Sequence, residues 1–349
     1  MTSFLSNIAS SAQWVLPTLL FLFFLLLLLA RGSATASDQA TIEAAKKEGS
    51  LMIYNSMTPS QMQLIINAFR AKYPFVEVKV YRAVGERLLT KILTEAQAGQ
   101  HDFDVLQSGD TQAYFLKKKN LLAKYVSPEV KYLPKIFVDS EGYWAAMYSM
   151  PKIIGYNTKM VKRAEVPRTD EELLNPKWKS KIATDHTKPE PFFWIMQRMG
   201  HDKGIAYLKK LAAQDMRLYA GLSLLTSLLA AGEFPLGLYT YLHSVEEAKS
   251  KGAPVEWVAQ DQVFTKFQPV SVAAKAPHPN VAKLYVDFGL SLEGQKLIAS
   301  MGRVSVRTGV PTNIAGLDKL NFVIDDLSWV EDYNKNYELF RSTFGVEGK

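Results

Sequence analysis

The chain has 349 residues and no cysteine, so disulfides, thiolate metal sites and a cysteine nucleophile are all excluded. Its formal charge of +7, from 41 Lys and Arg against 34 Asp and Glu, is spread along the chain rather than gathered into a patch. The longest basic run, Lys117-Lys118-Lys119, reads as a solvated helix end, so nucleic acid is not an expected partner and only a mild preference for anions follows.

The first element is the uncharged block Val15 to Ala30, VLPTLLFLFFLLLLLA, followed by Arg31 and by Ala34-Thr35-Ala36. Small residues at Ala34 and Ala36 fit a signal-peptidase site, which makes residues 1–36 a signal peptide and the mature protein an exported, periplasmic one. Met1 to Trp14 carries no Lys or Arg, so a retained membrane anchor is the alternative, at the short end of what spans a bilayer. The remaining chain exceeds what one core usually supports, and two domains are expected.

Apolar runs then alternate with helical patterns. Leu51 to Asn55 reads as a buried strand, Pro59 opens a helix through Leu64, Ile65, Ala68 and Phe69, and Val76 to Tyr81 is a second strand. Gly85 starts a helix that stops near Gly99; Phe103 to Gln107 is a third strand turning at Ser108-Gly109-Asp110 into a helix. Trp144 to Met150 and Lys152 to Tyr156 read as two strands joined around Pro151, and Lys181 to Thr184 as a strand entering Asp185-His186-Thr187. Ile205 to Leu211 is helical, Phe234 to Tyr241 and Val270 to Ala274 are strands, and two helices, Asn280 to Phe288 and Glu293 to Met301, precede a Pro311 turn and a polar, aromatic tail. This alternation predicts α/β sheets with parallel strands.

In such sheets ligands bind beyond the carboxyl ends of the strands, where helix N-termini present free N–H groups. Four turns qualify: Ser56 to Thr58, Ala83 to Glu86 with Gly85, Ser108 to Asp110, and Asp185 to Thr187. Their hydroxyls suit an oxyanion and serve equally as helix caps. Strand alternation puts Tyr239, Tyr241 and His243 on one face, with Tyr241 and His243 at the strand end and Tyr239 deeper. Arg82 and Arg87 flank a helix start and suit a carboxylate or phosphate, or solvent. His186 beside Asp185 is a candidate base or ligand, and Trp194 a candidate cleft edge. No GxSxG, HExxH or Walker A pattern occurs, and nothing assembles a nucleophile with its base, so an enzyme is not expected.

Taken in order, IEAAKKEGSLMIYNS, VKVYRAVGERLLTKILTEAQAG, HDFDVLQSGD, NPKWKSKIA, SLEGQKLIAS and GRVSVRTGV resemble the periplasmic substrate-binding proteins of ABC importers, extracellular solute-binding protein family 1, and within it the ferric-iron-binding branch. The resemblance implies a type II periplasmic binding protein fold: two α/β lobes, each a mostly parallel sheet flanked by helices, joined by two hinge strands. Lobe 1 would hold residues 37–155 plus 265–310 and lobe 2 residues 156–264 plus 311–349, with crossings near Met150 to Tyr156 and Phe264 to Val270. It also implies a monomer without a cofactor, which closes on a small solute and passes it to an ABC importer permease in the inner membrane.

Two cargoes follow. One is a small organic anion, a carboxylate or phosphonate, held by Ser56, Thr58, Arg82, Gly85, Ser108, Asp110, Thr187, Tyr241 and His243. The other is ferric iron, bound by Tyr239 and Tyr241 with an anion on Arg82 or Thr58. The iron branch has adjacent tyrosines at this stretch and often a His and a Glu after the first and third strands. Here the pattern is Tyr-Thr-Tyr, with Thr58 and Gly109-Asp110 near those places. Rivals of another class are an anchored sensory protein and an enzyme using His186 or His243 as base.

Overall fold

The structure, a computed structural model, describes residues 36–346; apart from Ala36, the expected signal peptide lies outside the described residues. Among the described residues no helix is long and apolar enough to cross a membrane.

Helix α1 (Ala36–Glu48) ends at Gly49, whose φ of +64° turns the chain into β1 (Ser50–Asn55), where Leu51, Ile53 and Tyr54 are buried. Pro59 sits at the start of α2 (Pro59–Lys72), where its missing N–H is harmless. That helix buries Met62, Ile65, Ile66 and Phe69, a single stripe at helical spacing. Through β2 (Glu77–Arg82), α3 (Glu86–Gln97), β3 (Val105–Gln107) and α4 (Asp110–Lys118) the alternation continues, with β1 parallel to both neighbours.

The second half opens with β4 (Ala145–Asn157) and the short α5 (Asp170–Leu173). It continues through β5 (Ile182–Asp185), α6 (Glu190–Met199), α7 (His201–Ala212), β6 (Arg217–Tyr219), α8 (Leu222–Ala231), β7 (Leu236–Tyr241), α9 (Leu242–Ser250) and β8 (Val255–Val258). Then come β9 (Val263–Val272), α10 (Pro279–Leu290), α11 (Leu292–Ser300), β10 (Phe322–Val323) and α12 (Tyr333–Phe344).

The strands run in the order β2-β1-β3-β9-β4-β7-β5-β6, with β10 beside β9 and β8 beside β4. Parallel pairs lie at both ends, and the two long strands β4 and β9 run antiparallel in the middle. Residues 145–151 of β4 pair with β9, while residues 152–157 pair with β7 and β8, so one strand belongs to both halves. Leu51, Phe69, Leu88 and Tyr285 belong to the core of the first half. In the second half, Phe192, Phe193, Leu236 and Phe340 form one core and Leu225, Leu229, Phe234 and Leu242 another.

Three expectations are corrected. The two strands expected around Pro151 are one, because Pro151 falls at the handover between partners, where β4 leaves β9 for β7 and a missing donor costs little. The third strand is only Val105–Gln107: Asp104 turns its carboxylate to accept from the Met52 amide at 2.7 Å and the His278 amide at 2.6 Å. Strand alternation fails in β7, since Tyr239 has a φ of +59° and the pairing with β4 shifts between Ile153 and Gly155. His243 consequently lies not on the strand but in the first turn of α9. The polar, aromatic tail, for which the sequence predicts no element, folds into a 3-10 turn, Leu327–Asp332, and α12.

Candidate binding cavity

A cavity of about 920 Å³ opens between the two halves, floored by Met150 and Lys152 of β4 and Lys266 to Gln268 of β9. Its walls include the starts of five helices: Gly85 before α3, Gly109 before α4, Glu190 of α6, Tyr241 before α9 and Tyr333 of α12. None of these helices has an N-cap side-chain hydrogen bond. Helix starts with their positive dipole ends thus border one volume, an arrangement that favours negative charge.

Two lysines of the floor behave differently. Lys266 pairs with Asp110 Oδ1 at 2.9 Å and Asp325 Oδ2 at 3.5 Å, and Asp325 also accepts from the Trp329 indole. Burial alone would lower the Lys266 pKa, but the two carboxylates outweigh it and hold the group above the ordinary lysine value. Burial raises Asp110 against the pull of Lys266. This charge is already neutralised within the protein.

Lys152 is 4% exposed, and its side chain makes neither a hydrogen bond nor an ion pair among the described residues; its ammonium lies 3.9 Å from the centre of the Tyr241 ring. Burial pushes its pKa down to about 7, the Glu190 carboxylate resisting and Lys188 adding to the fall. A buried ammonium without a counter-ion is costly, and an anion in the cavity would relieve that cost. Three further buried atoms of the lining lack partners: Ser108 Oγ, Asp110 Oδ2 and Glu190 Oε2.

Six of the expected residues come together here: Ser56, Gly85, Ser108, Asp110, Thr187 and Tyr241. Ser56 Oγ accepts from Gln268 Nε2 at 2.9 Å, and Thr187 donates its amide and hydroxyl to Asp185 Oδ1 at 2.8 and 2.7 Å. Three do not join them. Arg82 donates from Nε to the Met57 carbonyl at 2.7 Å, while Thr58 and His243 line a separate hollow of about 760 Å³. There His243 Nε2 faces an Arg303 guanidinium nitrogen at 3.1 Å, and burial with that charge depresses its pKa to about 3.

Tyr239 is 4% exposed, packs edge-on against Phe192 at 5.5 Å and has its hydroxyl buried without a partner, outside the cavity. Burial raises both phenols, Tyr239 near Asp170 and Tyr241 near Glu190, so their surroundings differ. Arg87 and His186 are not in the lining, and Trp194 is core beside Phe264. Among the described residues no group of three or more His, Cys, Asp or Glu is placed to hold a metal ion.

Lys152, Glu190, Lys266, Gln268, Trp329 and Tyr333 were not anticipated. Lys152 and Lys266 had a readable signal, since each interrupts an apolar strand, AAMYSMPKIIGYN and VFTKFQPVSV, and a lysine there must be paired or functional. Trp329 and Tyr333 had none, because they come from the tail.

A family model described as bacterial extracellular solute-binding protein matches residues 101–324, more than half of the chain. The Fe(3+)-binding periplasmic protein of Serratia marcescens is 19% identical over 279 residues, 77% of this chain and 81% of the relative. Iron-bound HitA from Pseudomonas aeruginosa superposes with a TM-score of 0.71 at 19% identity, covering 84% of this chain and 99% of its own. AfuA from Actinobacillus pleuropneumoniae, with fructose-6-phosphate bound, superposes with a TM-score of 0.68 at 24% identity, covering 86% and 99%. At these identities the likeness is one of fold, the two-lobe type II periplasmic binding protein.

Proposed function

The chain belongs to the bacterial extracellular solute-binding proteins, and we propose that it captures a small organic anion between its lobes and delivers it to the permease of an ABC importer. Proteins of this family and fold bind solutes for transport, so the cavity is read as a binding site and not as a catalytic one.

One observation carries the choice of an anion: Lys152, buried in the cavity floor with no counter-ion. The converging helix starts act in the same sense. Tyr241 offers its hydroxyl, and Ser108, Thr187 and Ser56 supply further polar groups of the lining. Support for lobes near 37–155 plus 265–310 and 156–264 plus 311–349 comes from the cores, the first built from Ala45 to Tyr148 and Phe267 to Val306, the second from Ile154 to Phe264 and Trp329 to Phe340; Ile154 and Leu327 pack across these bounds, Ile154 in the second core and Leu327 in the first. Closure would bend β4 and β9, the strands common to both.

A ferric reading draws on the iron-binding relatives and on Tyr241. It lacks the second tyrosine expected for it, because Tyr239 packs into the core; the other tyrosine of the lining, Tyr333, comes from the tail. Thermal shift against small carboxylates, phosphates and ferric citrate separates the two: anions should stabilise the wild type and leave Lys152→Met unmoved. Stabilisation by ferric iron alone would overturn the anion reading.

A further inference from the structure

We infer that the solute carries hydrogen-bond donors as well as its negative group, a hydroxylated or amino-bearing anion rather than a bare one. The inference rests on the anion reading above and narrows it.

The cavity leaves unused groups of both kinds. Lys152 and Ser108, the latter fully buried, offer donors, which suit an anion. Asp110 Oδ2 and Glu190 Oε2 are buried acceptors that no protein donor reaches. Asp110 uses its other oxygen for Lys266 and for the Thr111 amide, the latter at 2.7 Å, leaving Oδ2 without a partner at the cavity wall. An ionised carboxylate accepts only, so each free oxygen asks for an N–H or O–H from the ligand.

A plain carboxylate or phosphate would satisfy Lys152 and be repelled by Glu190, whereas a molecule with hydroxyl or ammonium groups beyond its charge satisfies both. Size agrees: about 920 Å³ is far more than a single ion fills and lies in the range of small-molecule pockets. Phe115 and Trp329 add apolar wall for a carbon skeleton.

The test is calorimetric titration in two series, each sharing one anionic group: propionate with glycerate and alanine, and ethyl phosphate with glycerol 3-phosphate and phosphoethanolamine, the hydroxylated members matching the bare anion in net charge. The wild type should bind a donor-bearing member at least tenfold more tightly than the bare anion of its series. Glu190→Gln should erase that margin, weakening the donor-bearing member and, with the repulsion gone, tightening the bare anion, and Asp110→Asn, checked for folding by its thermal melt, should narrow it. Which member gains tells hydroxyl from ammonium. Equal binding within both series, or equal weakening of every probe by Glu190→Gln, would overturn this inference while leaving the anion reading standing. If no probe binds, both fall.

Discussion

Lys152 occupies its place in the cavity floor at a cost in stability. Lys152 has a folded pKa of about 7, below the ordinary lysine value of about 10.4. Between those values the unfolded chain holds more protons, so the ligand-free protein should gain stability as pH rises from about 7 toward 10. Lys152→Met should remove that slope and raise ligand-free stability by about 1 to 4 kcal/mol in denaturant titrations, as replacing a buried charge often does, while abolishing anion binding. Binding would hold the ammonium charged, so above pH 7 it should take up a proton and weaken as pH rises, measurable in buffers of different ionisation enthalpy. The two tyrosines divide similarly: Tyr241→Phe should cost affinity of about 1 to 3 kcal/mol, and Tyr239→Phe, which removes an unpartnered buried hydroxyl, should leave affinity unchanged.

At the level of elements, most of the alternation was legible because apolar runs and helix starts are local signals. Pro59, Gly85 and Gly109 stand at or just before the first residue of their helices. What was not legible depended on contacts distant in sequence. Pro151 looks like a break until β9 and β7 are seen to share β4 on either side of it. The alternation of Tyr239, Tyr241 and His243 assumed a regular strand, and the left-handed Tyr239 with the early start of α9 undoes it. The bulge has a checkable footprint at Gly155, where a Cβ would come within 2.9 Å of Leu229 Cδ2 and Thr240 Oγ1. Gly155→Ala should therefore destabilise the second half by about 1 to 3 kcal/mol, read by chemical denaturation.

For the molecule as a whole, six of the nine residues expected to bind an organic anion meet in one cavity, because helix starts at strand ends converge in this architecture whatever the cargo. The lining residues that sequence reasoning missed came from the strands β4 and β9, the start of α6 and the tail. That tail also ties the halves together: Glu331 accepts from Tyr114 at 2.7 Å and pairs with Lys118 at 3.0 Å, while the Gln197 side chain exchanges hydrogen bonds with the Asp326 backbone. Small-angle scattering should show compaction at saturating ligand, since both hinge strands link the lobes. The central claim is that Lys152 holds an organic anion, and native mass spectrometry with elemental analysis of protein purified from its own host tests it most directly. An iron-free organic adduct in the wild type that is missing from Lys152→Met is the predicted result; an iron-only adduct, or the same organic adduct in both proteins, would contradict it.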